Sequence, residues 1–248
     1  WYSRLLFSEY AGQKQIGERS SLLFHSAVAP SRMVRDIPNI KLLICLRNPI
    51  ERAWGNYRFT VLEGLEPLSF DDAISCEAER LDKAQGIWKE VQPHAYVSRS
   101  LYADQLETYY DLFGEDNILI LSSELMAKET HTTLRRICDF LNIDPNIELD
   151  LPASYTSPMV KDKALQATLR DHFGERFSEI VECIRTESSM EDLSLLEEET
   201  QYLEELRLNL VMGKESLPTD VRSRLSEKLK DDIKRVSKLV NFSVEHWK

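Results

Sequence analysis

The chain has 248 residues, 42% of them hydrophobic and 29% charged, with 8 Gly and 9 Pro. That is enough apolar material for a large buried core, and the composition excludes collagenous, repetitive and disordered classes. With 42 acidic against 31 basic residues the net charge is −11, which argues against nucleic acid or another polyanion as partner, so any anion site has to be a local pocket.

Residues 1–10 carry an apolar-aromatic pattern (Trp1, Tyr2, Leu5, Leu6, Phe7) that reads as a helix already under way, which implies further chain before Trp1. Residues 12–17 read as a turn bounded by Gly12 and Gly17, leading into a short segment at 18–24. Residues 31–36 read as a helix halted by Pro38. Leu42, Leu43, Ile44, Cys45 and Leu46 then form an unbroken apolar run. It is too short for a free-standing helix and suits a strand buried on both faces of a parallel sheet.

The run stops at Arg47. Asn48 is a good N-cap, Pro49 fits the first helical position, and Glu51 completes the pattern of a capping box. Trp54, Tyr57 and Val61 give the helix that follows an apolar face. A buried strand feeding a capped helix brings the first helical amides and the positive end of the dipole to the strand's carboxyl end, where open α/β sheets bind ligands. Arg47 stands at that mouth and Arg52 follows about one turn later, so the simplest ligand is a phosphate. On spacing alone Arg52 and Arg58 read as solvated helix-face residues, and Arg47 as the phosphate contact rather than the partner of a carboxylate.

From 63 to 100 the periodicity weakens. Ser69 is placed to cap a helix running to Arg80, and the rest, with Gly86, Pro93 and His94, reads as a surface excursion, either a lid or substrate wall or a plain insertion. Leu106, Tyr109, Tyr110 and Phe113 mark an amphipathic helix closed by Gly114. Residues 117–121 read as a second buried strand, and Leu134, Ile137, Cys138 and Leu141 mark another helix. Strands alternating with helices imply a parallel α/β sheet. Beyond a loop at 145–158 containing Tyr155 and Thr156, the chain turns helical and charged. Acidic residues at 197–199 and 204–205 flank Leu196, Leu203, Leu206 and Leu210, as on a solvated amphipathic helix. Thr219 caps a last helix lined by Val221, Leu225, Leu229, Ile233, Val236 and Val240, with Phe242 and Trp247 docking its end.

Several candidate chemistries fall away. Residues 12–20 have the glycine spacing and terminal serine of a phosphate loop, but Glu18 stands where the essential lysine belongs and would repel a phosphate. The histidines His25, His94, His131, His172 and His246 show no metal or Ser-His-Asp spacing; only His25 and His94 lie in loops able to border a crevice. Cys45, Cys76, Cys138 and Cys183 form no CxxC, and Cys45 and Cys138 fall on apolar faces, as expected of buried thiols in a reducing, cytoplasmic compartment. No zinc site is indicated. No apolar run approaches the roughly 18 residues of a membrane span, and the start does not read as a signal peptide. Glu18, beside Arg19, Ser20 and Ser21, is a carboxylate next to a cation that could serve as general base toward a hydroxyl, though spacing alone makes it an exposed surface residue.

Taken together, these stretches resemble the PAPS-dependent sulfotransferases, in particular the carbohydrate (heparan-sulfate-type) branch and its bacterial relatives. Residues 41–57 resemble that family's 3′-phosphate-binding strand-turn-helix: an apolar run, Arg-[Asn/Asp]-Pro, a second Arg, then a Ser before Tyr. Gly17, Glu18, Arg19, Ser20 and Ser21 resemble its Glu-Lys-[Ser/Thr]-Pro segment, whose Glu is taken as the base. The blocks at 102–106 and 117–125, then Phe140 and Leu141, resemble its later helices and strand.

The resemblance implies an α/β fold, a P-loop-NTPase-like parallel sheet flanked by helices with a helical C-terminal part. It implies one domain over 1–248, with an α/β core at 1–160 and a mostly helical extension at 161–248. The implied chemistry is sulfuryl transfer from PAPS (3′-phosphoadenosine 5′-phosphosulfate) to a hydroxyl or amine of a small-molecule or carbohydrate acceptor, releasing PAP, with no metal. Glu18 and Arg19 are the implied catalytic pair, and Arg47, Asn48, Arg52 and Gly55 the implied cofactor-binding residues.

Three departures accompany it. Gly55 stands where the family has its phosphate-binding Ser, Arg19 and Ser21 replace Lys and Pro, and the N-terminal strand with its Gly-rich 5′-phosphosulfate loop and Lys is expected to precede Trp1. A degenerate, non-catalytic scaffold is the alternative, and a P-loop kinase fits worse because no carboxylate-held magnesium site is apparent. The acidic balance favours a small or neutral acceptor over a long sulfated polysaccharide.

Overall fold

The structure, a computed structural model, describes residues 7–37, 39–146, 157–186, 188, 199–213 and 215–247. The chain divides into two units: one comprises Trp1–Arg47, Tyr102–Leu151 and Asp232–Val244, the other Asn48–Leu101, Pro152–Asp231 and Glu245–Lys248.

In the first unit, helix α1 (Ala29–Asp36) leads to strand β1 (Leu42–Leu46), which pairs in parallel with β2 (Ile118–Ser122) from Leu42 opposite Ile118 to Leu46 opposite Ser122. Both strands are where the apolar runs place them, but β1 is not covered on both faces. Leu42, Ile44 and Leu46 are buried, whereas Leu43 is 43% exposed and Cys45 is exposed too. The reason is that the described sheet has two strands and a single covered face, so side chains alternate inward and outward with the pleat. Cys45 is thus a surface thiol, while Cys138 is buried as expected.

The helix expected after Leu101 is present over Ala103–Phe113. Its first amides find a distant cap, because the Asp232 carboxylate accepts from Tyr102 N (2.9 Å) and Ala103 N (3.1 Å). Tyr109 lies 5.4 Å from the Phe24 ring and its hydroxyl donates to the Leu23 carbonyl at 2.8 Å; burial pushes that phenol up to about 12. Ser122 caps a short unforeseen helix, Ser123–Lys128, and Thr130–Leu141 follows. Of the expected N-terminal helix, residues 1–6 lie outside the described residues, and Phe7 begins a turn closed by Tyr10 N.

The second unit starts with helix α2 (Pro49–Leu62). Trp54 stacks on Tyr57 at 5.4 Å, and Phe70 and Tyr96 close an aromatic cluster around Tyr57 at 4.8 and 5.9 Å. The single helix expected from Ser69 to Arg80 is two, Phe70–Ser75 and Glu77–Lys83, meeting at Cys76. The break turns Glu77 inward, where its carboxylate accepts Val97 N and Ser98 N, each at 2.8 Å. Helices Lys163–Phe173, Phe177–Thr186 and Thr200–Asn209 bury Leu169, Phe173, Phe177, Ile180 and Leu206 against Leu62. The loop carrying Tyr155 and Thr156, and Leu196 with its first acidic neighbours, lie outside the described residues. A two-residue antiparallel ladder, Met159–Val160 with Leu210–Val211, is too short to leave a periodic signal. The final helix spans Thr219–Val236, and Trp247 is buried.

The chain leaves α2 through Gly64, at φ +65, where a Cβ would lie 2.8 Å from the Gln166 carbonyl oxygen and 2.9 Å from Arg170 Cβ. Left-handed strain for a non-glycine residue adds to overpacking against backbone. Gly64→Ala is therefore expected to lower unfolding stability by about 3 kcal/mol in chemical denaturation; a change within about 0.5 kcal/mol, the range of ordinary surface substitutions, would refute the close approach.

Candidate functional site

The junction of β1 and α2 is formed as its residues dictate. Asn48, 6% exposed, caps α2 by accepting Ile50 N (3.0 Å) and Glu51 N (3.3 Å) on Oδ1, while its Nδ2 donates to the His246 carbonyl at 3.4 Å. Pro49 has no N–H. The amides expected to face a ligand are thus occupied by the cap, and the helix start offers an anion its dipole rather than free donors. Hydrogen bonds to a phosphate have to come from side chains.

Arg47, the last residue before the cap, is exposed. Its carbonyl accepts the Tyr102 hydroxyl at 3.1 Å, and among the described residues its guanidinium has no carboxylate partner. Arg52 is not the solvated residue its spacing indicated. It is half-buried, with Nε donating to Ser100 Oγ at 2.7 Å and Nη2 to the carbonyls of Ala95 (3.1 Å) and Tyr96. It fastens the 95–100 segment to α2. Arg99, in that segment, donates to the Val91 carbonyl; burial, then the charge of Arg52, push its guanidinium down to about 10, still cationic at neutral pH. Arg58 donates to the Ser157 carbonyl at 3.1 Å. Gly55 lies inside α2, partly exposed, and the helix continues through it.

Glu18 and Arg19 are exposed, on an irregular stretch that follows the Gly12 turn. No helix follows the 12–20 segment directly, as a phosphate loop requires, and Gln15 Nε2 instead donates to the Leu141 carbonyl at 3.0 Å. His94, in the 63–100 excursion, donates from Nε2 to the Leu65 carbonyl at 3.1 Å.

What sequence reasoning missed is the network that orders this excursion. Glu66, 1% exposed, accepts Arg80 through both guanidinium nitrogens (2.5 and 3.2 Å), the Tyr96 hydroxyl (2.8 Å) and Leu68 N (3.0 Å). Tyr96 also meets Thr60 Oγ1 on α2 at 2.8 Å. Burial pushes the Glu66 carboxyl up, but these donors outweigh it and hold it below the usual range. The partners lie 2 to 30 residues from Glu66, so no local pattern could have pointed to them. Among the described residues no cluster of His, Cys, Asp and Glu is placed to hold a metal ion, and no helix is long and apolar enough to cross a membrane.

A parallel strand pair whose first strand is followed by an exposed arginine and then an asparagine-capped, proline-started helix defines an α/β protein. More particularly, the chain belongs to the sulfotransferase family: the family model described as "Sulfotransferase domain" matches residues 12–181. The mouse (Mus musculus) heparan sulfate glucosamine 3-O-sulfotransferase 3B1 is 26% identical over 143 residues, which is 58% of this chain and 35% of that protein. The human (Homo sapiens) heparan sulfate glucosamine 3-O-sulfotransferase 5 is 28% identical over 156 residues, 59% of this chain and 41% of its own length. The chain thus spans well under half of these curated relatives. The crystal structure of a sulfotransferase from Alicyclobacillus acidocaldarius shares the fold, with a TM-score of 0.68 at 22% identity over 99% of this chain and 72% of that one.

Proposed function

We propose that the protein transfers a sulfuryl group from PAPS to a hydroxyl or amine of a carbohydrate or small-molecule acceptor. The observation that carries this reading is the exposed Arg47 guanidinium, without a carboxylate partner among the described residues, directly before the capped helix, in a chain of the sulfotransferase family. That donor set fits a phosphate: a planar guanidinium supplies paired charge-assisted hydrogen bonds and the dipole of α2 adds positive potential. Arg47 binds the 3′-phosphate of the donor, Asn48 holds the turn in shape, and Arg52, itself bonded to the 95–100 segment, adds charge and stiffness. Gly55 lacks the hydroxyl that the family places there, which leaves Arg47 the larger share of the binding.

In the reaction, the acceptor oxygen or nitrogen bonds to sulfur as the sulfur–phosphate oxygen bond breaks, PAP leaves, and the acceptor proton passes to Glu18. Arg19 stabilises the charge that spreads over the sulfuryl oxygens. No step needs a metal. The relatives named above act, by their names, on heparan sulfate glucosamine, which supports a carbohydrate acceptor; the net charge of −11 favours a short or neutral one.

PAP is expected to raise the melting temperature of the complete protein, since ligand at 100 times its Kd stabilises by about 2.7 kcal/mol. Arg47→Ala should weaken PAP about 10- to 100-fold, the loss of one or two charge-assisted bonds at about 1.5–3 kcal/mol each. 5′-AMP, lacking the 3′-phosphate, should not distinguish the variant from the wild type. No shift with millimolar PAP would overturn the donor assignment.

A further inference from the structure

The peptide that carries Arg47 belongs to neither neighbouring element, since β1 ends at Leu46 and α2 starts at Pro49. It is held from outside. The Tyr102 hydroxyl donates to the Arg47 carbonyl at 3.1 Å, from a side chain that is 4% exposed and whose ring lies 6.4 Å from that of Phe24. A buried phenol needs an acceptor, and this one takes the backbone of the residue assigned above to the phosphate.

Tyr102 is in turn fixed at its own backbone. It stands at the start of the helix Ala103–Phe113 and makes no cap with its side chain; the cap comes from the buried Asp232, whose carboxylate accepts both Tyr102 N (2.9 Å) and Ala103 N (3.1 Å). About one turn further along the final helix, Arg235 pairs with Asp104 at 2.7 Å and Glu107 at 2.8 Å. The carboxylate cap carries most of this grip, because its bonds are charge-assisted and buried while the Arg235 pairs are largely exposed and individually weak. Arg47, Tyr102 and Asp232 all lie in the first unit.

We propose that Tyr102 is a positioning residue for anion binding: by fixing the Arg47 peptide it sets the direction in which the side chain leaves the turn, so that the guanidinium meets a phosphate with less freedom to lose. In taking that anion for the 3′-phosphate of the donor it rests on the sulfuryl-transfer reading above; the run of hydrogen bonds from Asp232 through Tyr102 to Arg47 does not. The plain alternative is that the Tyr102 bond only satisfies a buried hydroxyl, and the two differ in what its removal does to ligands.

The test titrates PAP and 5′-AMP calorimetrically into the complete protein as wild type, Tyr102→Phe, Arg47→Ala and the double variant. Tyr102→Phe removes one oxygen and keeps the ring against Phe24, and melting curves check that it folds. It should weaken PAP about 3- to 10-fold, the worth of one neutral hydrogen bond, and leave 5′-AMP within twofold. In the Arg47→Ala background it should cost PAP less than a further twofold, because the side chain it positions is gone. Asp232→Asn, which trades one accepting oxygen for an amide donor, should shift the affinities in the same pattern through the helix start, and so reads the inference by a second route. In either variant, equal loss of both nucleotides, full additivity with Arg47→Ala or an unchanged PAP affinity would show that Tyr102 only packs, with the donor reading intact as long as Arg47→Ala weakens PAP. If wild type does not bind PAP, or Arg47→Ala binds it as tightly as wild type, the donor reading fails and Tyr102 has no ligand contact to position.

Discussion

Replacing Glu18 with Gln in the complete protein is expected to lower kcat for sulfuryl transfer by about 100- to 10,000-fold, the range that a positioned general base supplies. The amide keeps the size and polarity of the side chain but cannot take up the acceptor proton. Because Glu18 is exposed on an irregular stretch and Gln has the same size, the exchange should shift the melting temperature by no more than a few degrees. PAP should protect Glu18→Gln as well as it protects wild type, since the 3′-phosphate is assigned to Arg47. The combination separates chemistry from binding: a variant that binds PAP, folds and turns over slowly marks a proton acceptor. If kcat falls less than about threefold, the base is another group and Glu18 is the plain surface carboxylate that its spacing alone described. Arg19→Lys, which keeps the charge, should be far milder.

The strand-turn-helix was readable because the residues that specify it are local. Leu42 to Leu46, Asn48, Pro49 and the Trp54–Tyr57 face specify a strand, a cap and an amphipathic helix within 20 residues, and the structure has them there. The helices Ala103–Phe113 and Thr219–Val236 were legible for the same reason. What failed is set by distant partners. Whether Leu43 and Cys45 face protein or solvent depends on what covers the second face of β1, and a pentapeptide of apolar residues cannot say. Arg52 looked solvated because its acceptors, at Ala95, Tyr96 and Ser100, lie more than 40 residues away. The amides of Ile50 and Glu51 were assigned to a ligand, although the residue identified as their cap is the group that occupies them. A cap that satisfies the first turn and a ligand that uses the same turn compete for the same donors, and at this helix the cap wins.

The excursion is where a single substitution should change stability most. Glu66 is the common acceptor for Arg80, Tyr96 and Leu68 N, and its side chain is fully buried while that of Arg80 is 26% exposed. Removing the carboxylate takes the shared acceptor from a guanidinium, a phenol and an amide, so Glu66→Ala should cost about 3–5 kcal/mol of unfolding free energy, the range for breaking a buried pair from one side.

The same carboxylate also makes a signed contribution to pH dependence. Its donors hold it below the ordinary glutamate value of 4.5 despite its burial, so the folded state favours the ionised form more than the unfolded state does. The stabilisation is complete above that ordinary value and is lost as the pH falls through the depressed one. Wild type should therefore lose stability on acidification below about pH 4.5 more steeply than Glu66→Gln, which is less stable at neutral pH but lacks this titration. Parallel stability–pH curves for the two proteins would show that Glu66 carries no folded-state shift.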